Sequence, residues 1–426
     1  MDSIRKGLRK LPPGAVIKVL RKVFAYPAPA ARMILNDITR PRNSHKPWIH
    51  KVPWNQEWSG CWIGEKVSKL DEIALRRRIA QADIIFFNVH GGGFRLGTCT
   101  MYMDTYIRWI TFLKKKYNLN AMIMSIDYRL APEYKYPSPV EDVVKAYEHL
   151  VQRLDVDPSK IIATGDSAGA SLILEMLFIT HDPSMFEIVT DDPEEETGGP
   201  MVSELPRPAG AVFASPIVTD ETTSESWRVN VKYDFVSQHT AKVIKRDYFD
   251  KNPNDPEAPT ESSPILGIAK LQTGFQAFLP EQVLMYIGNK EVLRDDALDL
   301  AEKAEQDGVN WETVVEDCVH DWFCVREVVK DKSICDRADV IFADFCYRAV
   351  IVPREGRAIE EHSMRRASEG LEAVPEEETT FVEDSSDDDE FHEALSTTDT
   401  ELEAALMKKI EESVPGARSS TLTVYV

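Results

Sequence analysis

The sequence predicts an α/β fold, a mainly parallel central sheet covered by helices on both faces. Three observations lead there. Short apolar runs of strand length, such as residues 84–89 and 121–127, alternate with helical stretches at 101–117 and 140–154, the pattern of strands joined by crossover helices. One apolar run, Lys160-Ile161-Ile162-Ala163-Thr164, ends in Gly165-Asp166-Ser167-Ala168-Gly169, and a helical run (170–180) follows at once. Finally, 43% of the 426 residues are hydrophobic, which is ample for one extended core, and such sheets often exceed about 250 residues as a single unit.

Residues 1–24 alternate basic and apolar side chains, and Leu11-Pro12-Pro13-Gly14 divides them into two short helices. Such a basic amphipathic segment either lies on an anionic membrane surface or packs over the protein body with its charges in water. Residues 25–58, rich in Pro and Trp, read as irregular. Strands are expected at 59–64, 84–89, 121–127, 209–215, 282–287 and 311–316, besides the run before Gly165. Helices are expected at 293–306 and 325–350, and a helical stretch near 238–249 completes a lid. The long polar insert 182–208 reads as a solvated loop. The expected organisation is a lid segment over 1–50, a catalytic domain over 51–354 with a lid insertion at about 217–250, and an acidic, disordered tail over 355–426.

Charge supports that division. The net charge is −21, of which −14 falls on residues 355–426 and −7 on the first 354. Nothing in this balance suits a phosphate backbone, so nucleic acid is not an expected partner. The tail carries Arg365-Arg366-Ala367-Ser368 and an acidic serine run at 385–390, both patterns of phosphorylation sites. The six cysteines include no pair at zinc-site spacing, and scattered thiols suit a reducing compartment. No metal or cofactor is expected. No window reaches the length of a membrane span, so the expected location is cytoplasmic, with peripheral contact through residues 1–24 on an intracellular membrane or lipid droplet.

Gly165-x-Ser167-x-Gly169 between strand and helix is the pattern of a nucleophile elbow. A serine at so sharp a turn sits in strained backbone, and glycines two residues away on either side remove the collisions side chains would cause. His90-Gly91-Gly92-Gly93-Phe94 follows the strand at 84–89. Backbone N–H groups at a strand's end, unobstructed by side chains, suit an oxyanion, and the Ala168 N–H at the start of a helix adds a donor. Of the histidines after Ser167, only His320 follows a late strand within the folded body, so it is the candidate base. An orienting acid belongs between them, where the chain leaves a strand at Tyr286-Ile287-Gly288. Glu291 lies in the post-strand loop, while Asp295 and Asp296 fall in the first turn of a helix. Glu291 is favoured and Asp295 is the runner-up.

These motifs resemble the hormone-sensitive-lipase group of α/β-hydrolases. The resemblance rests on His90-Gly91-Gly92-Gly93, Gly165-Asp166-Ser167-Ala168-Gly169 and Asp127-Tyr128-Arg129-Leu130-Ala131-Pro132-Glu133, with Pro137, Ser215-Pro216 and Ser263-Pro264 in order. It implies an oxyanion hole from Gly92, Gly93 and Ala168. Glu291-Val292 stands where the group usually has Asp-Pro, a departure similar to fungal steryl acetyl hydrolases. Asp321 stands where glycine commonly follows the histidine, and is expected to raise the imidazole pKa. The implied activity is a serine carboxylesterase releasing short acyl groups, often acetyl, from a bulky alcohol. The alternatives are a small-molecule-binding protein on a hydrolase scaffold, as the plant gibberellin receptor resembles, and an interaction protein acting through its acidic tail.

Overall fold

A computed structural model of the chain describes residues 12–55, 57–183, 204–250 and 263–369, with side chains as far as Gly356. Two helices open it, α1 (Pro13–Ala25) and α2 (Ala28–Ile38), followed by strands β1 (Ile49–Val52) and β2 (Gly60–Ile63). Helix α3 (Glu72–Ala80), strand β3 (Ile84–Val89), helix α4 (Met103–Tyr117) and strand β4 (Ala121–Ile126) come next. Then follow α5 (Ser138–Glu148), β5 (Ile161–Asp166), α6 (Ala168–His181), β6 (Gly210–Ala214), α7 (Glu225–Asn230) and α8 (Gln238–Ile244). Strand β7 (Gln282–Gly288), helix α9 (Arg294–Gln306), strand β8 (Asn310–Glu316) and helix α10 (Lys332–Glu369) close the chain.

The eight strands form one sheet in the order β1-β2-β4-β3-β5-β6-β7-β8. Only the β1–β2 and β2–β4 pairs are antiparallel. From β4 to β8 every neighbour is parallel. Strands β3, β4 and β5 are buried along their whole length, which is why they read as continuous apolar runs rather than alternating ones. The core is one large cluster, with aromatic layers such as Phe86, Trp109, Phe323 and Phe342 under α4 and α10, and a second, small cluster joins Val23, Ala31 and Leu35 of α1 and α2 to Leu96 and Met101. Strand order reverses at β3, flanked by β4 on one side and β5 on the other. In an open parallel sheet that reversal leaves a crevice at the strands' carboxyl ends.

Three expectations change. Residues 25–58 contain helix α2 and strand β1. Pro27 and Pro29, which made the segment read as irregular, fall at the cap and first turn of α2, where a missing N–H costs nothing. Residues 355–369, assigned to the tail by their charge, belong to α10, and their Glu, Arg and Ala are strong helix formers. The helix expected from residue 325 begins at Lys332, after a short turn at Arg326–Val328. The first helix expected in residues 1–11, much of the insert at 184–203 and the tail from 370 lie outside the described residues. No described helix is long and apolar enough to cross a membrane.

Candidate active site

Each sequence-singled residue sits at the carboxyl end of a parallel strand. His90-Gly91-Gly92-Gly93 leaves β3, Ser167 leaves β5, Glu291 follows β7, and His320 follows β8. Ser167 has φ 48° and ψ −116°, and its N–H donates to the Ala214 carbonyl of β6 at 2.8 Å. A Cβ on Gly169 would lie 2.1 Å from the Val89 oxygen, and one on Gly165 would lie 2.7 Å from the Ala170 nitrogen. Gly169 is therefore what lets α6 start so close to β3, and Gly165 is what lets β5 turn directly into α6. His320 Nε2 stands 2.9 Å from Ser167 Oγ across 153 residues of sequence. Both side chains are buried, His320 at 2% exposure and Ser167 at 4%.

Glu291 is fully buried. Its Oε2 accepts from the Ser215 hydroxyl at 2.7 Å and from the Gly288 N–H at 3.1 Å. Among the described residues its Oε1 has no hydrogen-bond partner, and neither has His320 Nδ1. The structure thus brings serine and imidazole into contact and leaves the Glu291–His320 bond unmade. Asp295 is engaged elsewhere, accepting from the Ser226 N–H at 2.7 Å and pairing with Arg294 at 2.8 Å.

The glycine loop is fixed from below and above. Asp166 Oδ1 accepts from the Gly91 N–H at 3.0 Å, and its Oδ2 from the Tyr102 hydroxyl at 2.7 Å. Gly92 and Gly93 take φ 109° and 61°, values that favour glycine. Phe94 stacks on Tyr248 at 3.8 Å, and buried Arg95 pairs with Asp247 at 2.7 Å, so the stretch after α8 grips the loop. From α2, Arg32 donates to the Arg95 and Ala131 carbonyls and pairs with Glu133. From α1, Arg21 donates to the carbonyls of Val231 and Asp234. Arg129 binds Asp142 and Glu141, so the Asp127–Glu133 motif acts as scaffold for the site.

A sequence profile described as the alpha/beta hydrolase fold matches residues 86–324. The chain belongs to the α/β-hydrolase fold family. An esterase of Acinetobacter venetianus is 28% identical over 231 residues, 53% of this chain and 63% of that protein. Mouse arylacetamide deacetylase is 34% identical over 112 residues, a quarter of each chain (25%). The chain thus spans less than two thirds of the length of these relatives. A solved esterase of the bacterial hormone-sensitive lipase family superposes with a TM-score of 0.58 at 24% identity, covering 79% of this chain and 98% of that one.

Within this α/β-hydrolase frame, two carboxylates matter that sequence reasoning passed over. Asp166 was legible only as the variable residue of the elbow. Asp234, between α7 and α8, accepts from the Val292 N–H at 2.8 Å and the His320 N–H at 3.4 Å, tying the α7–α8 segment to both loops. No motif marks it, because its partners are backbone groups distant in sequence. Burial lowers the His320 imidazole to about 3, so its neutral, proton-accepting form prevails. The rise expected from Asp321 does not occur. Burial, reinforced by Asp166, Glu291 and Asp234, pushes the Asp321 carboxyl itself well above the usual range, so it offers the imidazole little negative charge.

Burial also raises Asp166, Asp234 and Glu175 to about 7 each. The folded protein then binds more protons than the unfolded chain between their ordinary values and about 7. The stability they contribute is full below the ordinary carboxylate range and is lost as pH rises through 7. The melting temperature is therefore expected to rise on acidification from pH 8 towards pH 5. Glu175→Gln, at the buried cluster with Ser263 and Tyr248, should flatten that slope. A melting temperature that falls steadily over the same interval would contradict this.

Proposed function

We propose that the chain is a serine carboxylic ester hydrolase that releases short acyl groups, acetyl foremost, from a bulky alcohol. The observation that carries this reading is the 2.9 Å approach of His320 Nε2 to Ser167 Oγ at a strained elbow. Ser167 Oγ attacks the ester carbonyl while His320 Nε2 takes its proton and passes it to the departing alcohol oxygen. Glu291 orients the imidazole through Nδ1. The N–H groups of Gly92, Gly93 and Ala168 hold the oxyanion, and water then hydrolyses the acyl-enzyme. No step calls for a metal or cofactor.

The space around the serine supports the size preference. The smaller of two clefts reaches Ser167 and His320 between Trp227, Leu293 and Ile244. The larger opens beside Gly92 under α1 and α2. We assign the acyl group to the smaller and the alcohol to the larger. The names of the relatives, an esterase and a deacetylase, agree with this chemistry.

The test is a fluorophosphonate probe combined with nitrophenyl esters from acetyl to octanoyl. Ser167 is expected to carry the label, and turnover should fall as the acyl chain lengthens. Folded protein that takes no label would favour a binding protein on this scaffold, and a preference for octanoyl would overturn the short-acyl assignment. Contact of residues 1–24 with a membrane or lipid droplet, cytoplasmic residence and phosphorylation of the tail remain proposals of the same kind, the first testable by flotation with anionic vesicles.

A further inference from the structure

The two cavities share a thin partition. Phe24 lines both, and three consecutive pairs split between them. Gly93, Val236 and His320 face the smaller, while Gly92, Phe235 and Asp321 face the larger. Asp321 is thus the carboxyl group that the larger cavity presents beside the reacting serine. It is 4% exposed. Its Oδ2 lies 3.3 Å from His320 Nε2, and among the described residues its Oδ1 has no hydrogen-bond partner.

The lining also carries His45 paired with Asp104, exposed Glu327, and Arg326, which pairs with Asp339 but whose Nε, among the described residues, has no partner. Leu20, Leu35 and Met101 supply hydrocarbon, the Tyr102 hydroxyl is committed to Asp166, and the Thr105 hydroxyl to the Cys324 carbonyl. A buried carboxyl oxygen without a donor costs free energy that a ligand's donor would recover. The backbone does not call for an aspartate here. Residue 321 has φ 56°, a region that favours glycine, and its own N–H is satisfied by the Ser215 hydroxyl at 3.0 Å. Oδ1, the oxygen turned away from these contacts, is left for what enters the cavity.

We infer that Asp321 determines alcohol specificity, its Oδ1 accepting a hydrogen bond from a hydroxyl or protonated amine carried by the bulky alcohol of the ester. This rests on the hydrolase reading above. It adds that a plain hydrocarbon alcohol is a poor substrate, because it leaves the carboxyl buried and unpaired. A hydroxyl binds the carboxyl as it stands, whereas an amine binds it ionised, as an ion pair among Asp166, Asp234 and Glu291.

Acetate esters of one hydrocarbon skeleton, plain, hydroxylated and aminated a few bonds from the ester oxygen, test it. The readouts are kcat/KM on the full-length protein and Kd by calorimetry on Ser167→Ala, which does not consume the ester. The donor-bearing esters are expected to be favoured about tenfold or more. In Asp321→Gly the ratio of donor-bearing to plain ester should fall to near one. In Asp321→Asn the preference for the amine should vanish while that for the hydroxyl largely survives. Because the readout is a ratio, a loss common to all esters cancels. Equal use of the three esters by the unaltered protein, or a preference that outlives Asp321→Gly, overturns the inference and leaves hydrolysis standing. Absence of turnover and of Ser167 labelling overturns hydrolysis instead, and the calorimetric ratio then decides Asp321 alone.

Discussion

His320→Ala is expected to lower kcat on a good acetyl ester about a millionfold, and Ser167→Ala to cost about as much, with the double variant no worse than either. The equality follows from the geometry. Among the described residues, the base in hydrogen-bond contact with Ser167 Oγ is the His320 imidazole, 2.9 Å away. Removing either partner removes the same event. The residual rate is expected to come from the proposed donors at Gly92, Gly93 and Ala168 and from binding, which both variants retain. Folding is not expected to suffer severely in Ser167→Ala, since the glycines at 165 and 169 make the elbow's close approach. The measurement is kcat for the three proteins with far-ultraviolet circular dichroism alongside. A loss of only tenfold on His320→Ala would mean that another base serves Ser167, and losses that multiply in the double variant would mean that the two residues act separately.

Much of this arrangement was legible because the residues that carry it are tied to local backbone rules. Gly165, Gly169 and the glycines after His90 mark turns that only glycine tolerates, and an apolar strand precedes each. The post-strand positions of Glu291 and His320 follow from the alternation of strands and helices. What stayed hidden depends on contacts across long sequence separations. Asp234 holds backbone groups 58 and 86 residues away, and Asp166 holds the N–H of Gly91 from 75 residues away. Arg21 and Arg32 anchor α1 and α2 to carbonyls that no pattern marks. The direction of the His320 shift is hidden for a related reason. The sequence shows an acidic residue beside the imidazole but not the burial, which with Asp166, Glu291 and Asp234 pushes the Asp321 carboxyl well above the usual range. In helix α2, two prolines looked like breakers because their place in the first turn is visible only once the helix is seen.

Glu291→Gln should lower kcat by about four powers of ten while Asp295→Asn stays within a few-fold of the unaltered protein. The replacement keeps shape and volume, and Ser215 and Gly288 can still donate to the remaining carbonyl oxygen. What changes is the group offered to the imidazole. Burial, with Asp234 beside it, holds the Glu291 carboxyl well above the usual range. Once it has given up its proton, its oxygen accepts from Nδ1–H and leaves Nε2 bare to take the serine's proton, whereas an amide N–H favours the opposite tautomer, with Nε2 protonated and useless as a base. Two buried atoms need such a partner, Glu291 Oε1 and His320 Nδ1, and among the described residues neither has one. Asp234 accepts from the backbone N–H groups of Val292 and His320, so the α7–α8 segment that carries it is tied to both loops. Asp295 has no such opening, since Ser226 and Arg294 already occupy its oxygens. Turnover measured on Glu291→Gln, Glu291→Asp and Asp295→Asn separates the candidates, with the shorter aspartate expected to retain part of the activity. Collapse on Asp295→Asn with Glu291→Gln near normal would move the orienting role into the first turn of α9 and would leave the buried Glu291 without a catalytic account.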